Sequence, residues 1–303
     1  MFLSLFLPLT LSIGFLSQMS FSETVIVSPN ICQANPYRQF NVWANDLVFH
    51  YTYLTSFSNT SKYYLGPTIG YYTQSYVRDV IAGTTIYWGT AGSWHILIYN
   101  VYAEQLFHQK KRPFPDLYTI TQQQFLAQNS ILFYATLPIL AEFLIENHLT
   151  KVYFYMDEIG AWRNYFFYTI LYFIAAEISI YWIHRILHTN KVLYKWIHSQ
   201  HHLYNKIEHL TPWAALAFHP IDGLLQASPY VILLFFIPTH YFTFVGLLFF
   251  TSIWAINIHD SIHINSEPIM GSKYHTIHHT YYHYNFGQYF IFCDWLWGTL
   301  KTK

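Results

Sequence analysis

His184-Arg-Ile-Leu-His188, His198-Ser-Gln-His201-His202, His259-Asp-Ser-Ile-His263 and His275-Thr-Ile-His278-His279 decide how this chain is read. Ten of its 18 histidines fall in these four boxes. Residues three and four apart share one face of a helix, so each box is expected to aim two or three imidazoles at one point. Paired histidines on a helix hold the ion of H-E-x-x-H metalloproteases. Neutral imidazole suits iron, zinc, copper and nickel. A lone buried histidine is ordinarily a hydrogen-bonded core residue. Two H-x-x-H-H boxes beside two H-x-x-x-H boxes are not explained that way. Ten imidazoles also exceed the roughly four ligands of one structural zinc, so two neighbouring metals are the natural count.

Composition says where such a site sits. The 303 residues are 53% hydrophobic, 21% aromatic and only 10% charged, against about 25% charged in an ordinary soluble protein. The formal net charge is zero, so no basic surface points to nucleic acid. The 28 Tyr and 10 Trp fit long membrane–water interfaces. Cys32 and Cys293 are too few for a disulfide framework or a thiolate metal site.

The expected fold is all-α, a multi-span membrane helical bundle with a cytosolic, histidine-rich di-metal cap. Residues 1–163 read as an N-terminal membrane region, with spans near 80–101 and 129–147. Residues 164–303 read as the domain that carries the boxes. Residues 1–17 are an apolar run without the basic start of a signal peptide; signal, anchor and membrane-dipping segment all stay open. Gly66-Pro67 reads as a turn. Residues 80–101 contain no Asp, Glu, Lys or Arg, and about 20 such residues suffice to cross a bilayer. The basic run Lys110-Lys111-Arg112 follows, and basic loops stay cytosolic; the sequon at Asn59 would then be luminal. The 129–147 span is expected to kink at Pro138, and Glu142 and Glu146 weaken it. A third span, 164–183, runs directly into His184. Residues 224–237 and 240–257 form either a re-entrant hairpin or two crossings. Both return the chain to its starting side at His259.

Some polar residues have two readings. Glu177 lies seven and eleven positions before His184 and His188, on their helical face. A carboxylate in an apolar span is costly. It either orients a ligand imidazole, binds metal, or is a hydrogen-bonded structural group. Asp260 and Asp222 either orient a ligand or cap a helix. His219 is balanced between site and structure. His209, His240 and His283 read as ordinary polar residues.

Phe218-His-Pro-Ile-Asp-Gly-Leu-Leu-Gln226, Ala255-Ile-Asn-Ile-His-Asp260, Tyr274-His-Thr-Ile-His-His279 and Tyr284-Asn-Phe-Gly-Gln-Tyr289 flank the boxes. Together with the boxes they resemble the sterol C-5 desaturases of the fatty acid hydroxylase superfamily of membrane non-haem di-iron enzymes. The resemblance runs from about Glu177 to Leu300. It implies metal ligation by His184, His188, His198, His201, His202, His275, His278 and His279. His259 and His263 match an additional box of related hydroxylases. It further implies two iron ions, dioxygen, electrons from NAD(P)H through cytochrome b5 and its reductase, a sterol substrate, and the endoplasmic reticulum membrane. Two readings compete. One is another lipid oxygenase of the same chemistry, a sterol C-4 methyl oxidase or a fatty acid hydroxylase. The other is a histidine-rich metal transporter, which should carry intramembrane Asp or His along several spans.

Overall fold

The computed structural model describes residues 35–109, 113–206, 208–260, 262 and 266–303. The apolar run 1–17, Cys32, the basic run Lys110–Arg112 and His263 lie outside the described residues. The fold is all-α. Helix α1 (Pro36–Tyr51) starts from an Asn35 cap. Helix α2 (Thr55–Ile96) bends where Gly66 takes φ 77° ahead of Pro67, as the Gly-Pro pair suggests. Two wide turns, Leu97–Val101 and Glu104–His108, continue it. Next come α3 (Leu117–Tyr134), α4 (Thr136–Glu146), α5 (Trp162–Thr189), α6 (Pro220–Ile232), α7 (Tyr241–Ile258), α8 (Ser272–Tyr281) and α9 (Phe292–Leu296). A two-residue parallel pair joins Val152–Tyr153 to Thr239–His240, with Val152 opposite Thr239.

Among the described residues, three stretches are long and apolar enough to cross a membrane: Leu117–Glu146, Trp162–Thr189 and Tyr241–Ile258. The expected third span is therefore α5, extended to Thr189. The expected second span is the C-terminal part of α3–α4. Its break falls at Ala135, directly after Tyr134. That is where the Pro138 ring displaces the carbonyl four residues back. Residues 80–96 are helical within α2 but are not among the three; Gly, Thr and Ser between the aromatics keep the segment less apolar. Helix α6 is shorter than a full span. Its internal Pro229 leaves the Leu225 carbonyl without its helical donor, and Ser228 Oγ donates to it at 2.8 Å.

The core lies where α4, α5, α6 and α7 meet, around Ala141, Ile145, Tyr172, Ala176, Ala227 and Leu234. Tyr172 donates its hydroxyl to the Tyr230 carbonyl at 2.6 Å, tying α5 to α6. The two glutamates of α4 are explained by partners. Glu142 accepts from Arg78 at 2.7 Å and Ser75 at 2.6 Å. Glu146 accepts from Arg38 at 3.0 Å and Asn41 at 3.1 Å. Buried charges persist where they are paired and hydrogen-bonded, and these pairs lock α1 and α2 onto α4. The parallel strand pair precedes both α5 and α7. Both helices therefore run from it to the opposite end of the bundle, where the histidine boxes gather. Helix α6 runs the other way between them.

Candidate metal centre

Nine of the ten expected imidazoles come together, and all nine are buried. His184 and His188 lie one turn apart at the C-terminal end of α5. A helical turn capped by Asn190 and the wide turn Tyr194–His198 deliver His198, His201 and His202. His259 ends α7, and α8 carries His275, His278 and His279. Wide helical turns recur at functional sites. Here one carries His198, and the tight turn His201–Leu203 that follows carries His201 and His202.

The side chains form two groups. His184, His188, His198, His202 and His278 are one; His201, His259, His275 and His279 are the other. Within each group the ligand atoms lie within 4.8 Å of one another. The expectation that each box aims at one point needs correction. Each H-x-x-H-H box divides, His198 and His202 from His201, and His278 from His275 and His279. Adjacent residues on a helical turn point about 100° apart, so such a box can line the gap between two centres.

In the first group the ring nitrogens split by role. His184 Nδ1 faces the Phe286 carbonyl at 3.0 Å, His278 Nδ1 the Tyr284 carbonyl at 2.8 Å, and His198 Nδ1 the Asp222 carboxylate at 2.7 Å. Acceptors at Nδ1 fix the proton there and leave Nε2 as a lone pair. The Nε2 atoms of His184, His188, His198, His202 and His278 have no partner among the described residues. Five convergent, buried, unpartnered nitrogens are what a cation would satisfy.

The second group gives the same answer by counting protons. His259 Nδ1 donates to the Ala255 carbonyl at 2.6 Å, so its Nε2 is a lone pair. That Nε2 faces His201 Nε2 at 3.2 Å and His275 Nε2 at 2.9 Å, which would both have to be N–H groups. His275 Nε2 also faces His279 Nε2 at 3.1 Å, with no lone pair left to offer. No set of neutral tautomers satisfies all three contacts. Four lone pairs aimed at one ion do, and nitrogens about 2.1 Å from an ion sit roughly 3 Å apart when they are neighbours around it. Burial keeps these rings neutral. It pulls His278 to about 3 and His259 to about 4, and holds His201, His202, His275 and His279 well below the ordinary range.

The segment Tyr284–Tyr289 is the scaffold of the first group. Besides the two carbonyls, it offers main-chain N–H groups that two buried acids hold. Asp294 accepts from Phe286 at 2.8 Å and Gly287 at 2.9 Å. Glu177 accepts from Tyr289 and Phe290, both at 3.0 Å. Asn285 donates to the Tyr274 and Lys301 carbonyls at 3.1 and 2.9 Å. A side chain at Gly287 would collide with the Phe290 carbonyl.

Glu177 is thus buried and hydrogen-bonded, yet it belongs to neither imidazole group. It reaches His184 only through the loop that it holds. Asp260 also bonds no ligand imidazole among the described residues; it accepts from the Ile262 N–H at 2.6 Å, a turn cap, and burial pushes it up to about 7. His219 caps α6, accepting from Ile221 at 3.3 Å. His283 is exposed. Asp222, a residue with two readings, orients His198 and also accepts from Gln226 Nε2 at 2.8 Å. Asp294 is the residue that spacing missed. Its one signal was a lone carboxylate in the aromatic stretch before Leu300.

The sequence profile described as fatty acid hydroxylase matches residues 169–299, from within α5 past the last box. The Delta(7)-sterol-C5(6)-desaturase of Nicotiana tabacum is 40% identical over 228 residues, 75% of this chain and 83% of the relative. The chain belongs to the fatty acid hydroxylase family. An Arabidopsis thaliana relative provisionally named Delta(7)-sterol-C5(6)-desaturase 2 is 42% identical over 232 residues, 77% of this chain and 82% of the relative. Lathosterol oxidase of Rattus norvegicus is 40% identical over 175 residues, 55% of this chain and 56% of the relative. No solved structure matches the chain. The family match takes in all nine gathered imidazoles, Glu177, Asp222 and Asp294.

One cavity adjoins the centre, and a second, larger one lies beside the first. The small one, of about 70 Å³, is walled by His184, His201, His259 and His275 together with Tyr134 and Leu216 among others. The larger one, of about 300 Å³, is mostly apolar, with Phe40, Ile86, Phe244 and Leu248 in its wall. The two share Tyr134, Leu216 and Ser252. Ser130 and Tyr87 donate to the Phe218 and Trp213 carbonyls at 2.6 and 2.8 Å, fixing the segment that forms the common wall.

Proposed function

We propose that this membrane protein is a Δ7-sterol C-5(6) desaturase that holds two iron ions and uses dioxygen with electrons from NAD(P)H through cytochrome b5 and its reductase. The observation that carries the reading is the small cavity that adjoins both groups of buried imidazoles and shares its wall with a larger apolar one. A redox metal pair, when bound, supplies the two-electron chemistry that removes hydrogen from weakly activated carbon, which no side-chain acid or base can do. His184, His188, His198, His202 and His278 would hold one ion, and His201, His259, His275 and His279 the other; His263 remains a proposed member from its box. Asp222 and the Tyr284 and Phe286 carbonyls hold protons at Nδ1, so that Nε2 faces inward. Glu177 and Asp294 keep those carbonyls in place. The apolar walls exclude water and take a flat hydrocarbon. The relatives' printed activities favour sterol C-5 over the C-4 methyl oxidase and fatty acid hydroxylase readings. The bunching of imidazoles at one end of the bundle disfavours a transporter.

The proposed setting is the endoplasmic reticulum, with the boxes and the 110–112 loop cytosolic and Asn59 luminal. Cysteine labelling from the two sides tests it; opposite-side labelling of the loop and the boxes refutes it. The activity is tested by sterol profiling after expression in yeast lacking its own C-5 desaturase. Appearance of the 5,7-diene supports the reading. A 4-hydroxymethyl sterol or a 2-hydroxy fatty acid without the diene overturns it.

A further inference from the structure

The small cavity beside the second imidazole group has a polar wall as well as an apolar one. Ser252, Thr251, Gln226, Tyr230 and Gln288 line it with Tyr134. Most of these polar groups already have protein partners. Tyr230 and Tyr289 share a hydroxyl–hydroxyl bond of 2.6 Å. Gln226 donates to Asp222, Gln288 approaches Thr251 at 3.4 Å, and Ser252 approaches the Leu248 carbonyl at 3.4 Å. The Tyr134 hydroxyl makes no hydrogen bond with any described residue. Tyr134 is also the last residue of α3, and its ring lines both cavities.

A sterol places its hydroxyl under a tight constraint. C-3, which bears it, and C-5, one end of the new double bond, belong to the same six-membered ring. Any partner of the hydroxyl must therefore sit beside the reacting carbons, next to the imidazoles. Apart from the imidazoles, whose free nitrogens face the metal sites, Asp79 Oδ2 is a further unpartnered polar atom among the described lining residues, but it lines only the larger cavity. A hydroxyl bound at Asp79 would carry ring A away from the histidines.

We infer that the Tyr134 hydroxyl is the hydrogen-bond partner of the substrate's 3-hydroxyl, and that it sets the ring against His201, His259 and His275 while the sterol's apolar tail fills the larger cavity. Tyr134 is a positioning residue in this assignment, which rests on the sterol reading above. It contributes to binding and to the placing of the reacting bond, and it takes no part in breaking C–H bonds.

The test uses full-length enzyme in membranes and two substrates, a 3β-hydroxy Δ7-sterol and its 3-deoxy analogue. Turnover and equilibrium binding are measured for wild type, Tyr134→Phe and Asp79→Asn, with metal content as the control for an intact site. Wild type should prefer the hydroxysterol, and Tyr134→Phe should erase roughly tenfold of that preference, the scale of one hydrogen bond. The loss should appear largely in KM, with the 3-deoxy sterol handled equally by both proteins. An equal loss on both sterols, or none on either, overturns the assignment. So does a preference that survives Tyr134→Phe and disappears in Asp79→Asn. If wild type binds both sterols but forms no 5,7-diene, the desaturase reading fails. The binding preference then still decides the contact.

Discussion

Replacing Asp222 by alanine removes the acceptor of a 2.7 Å bond from His198 Nδ1, where neither side chain has any exposed surface. The bond is charge-assisted, and such bonds contribute about 1.5–3 kcal/mol. The alanine also leaves the His198 N–H buried without a partner and frees Gln226 Nε2, which donates to the other carboxylate oxygen at 2.8 Å. At ~1.4 kcal/mol per factor of ten, the bond corresponds to roughly tenfold to hundredfold weaker metal binding. Changes to groups that orient ligand imidazoles span about the same 10–100-fold range. Asp222→Asn is the graded case. Its amide oxygen can still accept from His198, but its amide nitrogen then faces the Gln226 amide donor to donor, unless Gln226 turns over. The expected loss is about tenfold, near the lower end. The assay is metal retained by detergent-purified protein against graded chelator, with helical circular dichroism as the check on folding. A folded Asp222→Ala protein that holds metal as tightly as wild type would refute the idea that this carboxylate orients His198.

Three further outcomes follow from the same geometry. His201→Ala and His278→Ala each remove one of the clustered imidazoles and should abolish activity and lower bound metal while helicity persists, whereas exposed His283→Ala should change neither; equal effects from all three would count against two specific centres. Glu177→Gln keeps one carbonyl acceptor but turns an amide N–H toward a main-chain N–H of the Tyr289–Phe290 segment; metal affinity should fall by about tenfold, and an unchanged Glu177→Leu protein would show that the loop needs no anchor. Acid should destabilise the metal-free protein, because the unfolded chain takes up protons near 6.5 that folded His259, at about 4, and His278, at about 3, refuse. Stability is then whole above pH ~6.5 and falls by ~1.4 kcal/mol per pH unit for each such imidazole as pH drops toward 4. Denaturation midpoints that do not change between pH 7.5 and 5 would contradict this.

The parts legible in the sequence are those with a period. Helix α5 runs apolar from Trp162 and ends in His184 and His188, so its span and its ligands share one helical register. The boxes themselves are short-range patterns, and nine of their ten histidines do converge. The division between two groups was not legible. It depends on how the turns from Tyr194 to Leu203 aim His198, His201 and His202 and on where α8 sits between the centres, and neither is encoded by spacing alone. Glu177 shared the helical face of His184, yet its carboxylate bonds to main-chain amides 112 and 113 positions away. Contacts to backbone carry no residue-type signature at the far end. For the same reason the Tyr284–Tyr289 segment could be recognised as a motif before its work as an acceptor scaffold could be seen. Asp222 had two equal readings, orienter or cap, and only its 2.7 Å contact with His198, 24 positions away in sequence, decides between them.

Helix α8 contributes to both imidazole groups, and it lies close to the end of the chain. During synthesis, at about 5–20 residues per second, the membrane-capable stretches α3–α4, α5 and α7 emerge before it. Neither group is complete until His275, His278 and His279 follow them. An ion that needs either complete group must therefore wait for α8 to be made and to dock. A product cut short before Ser272 would keep its spans and six of the nine gathered imidazoles, with both groups left incomplete.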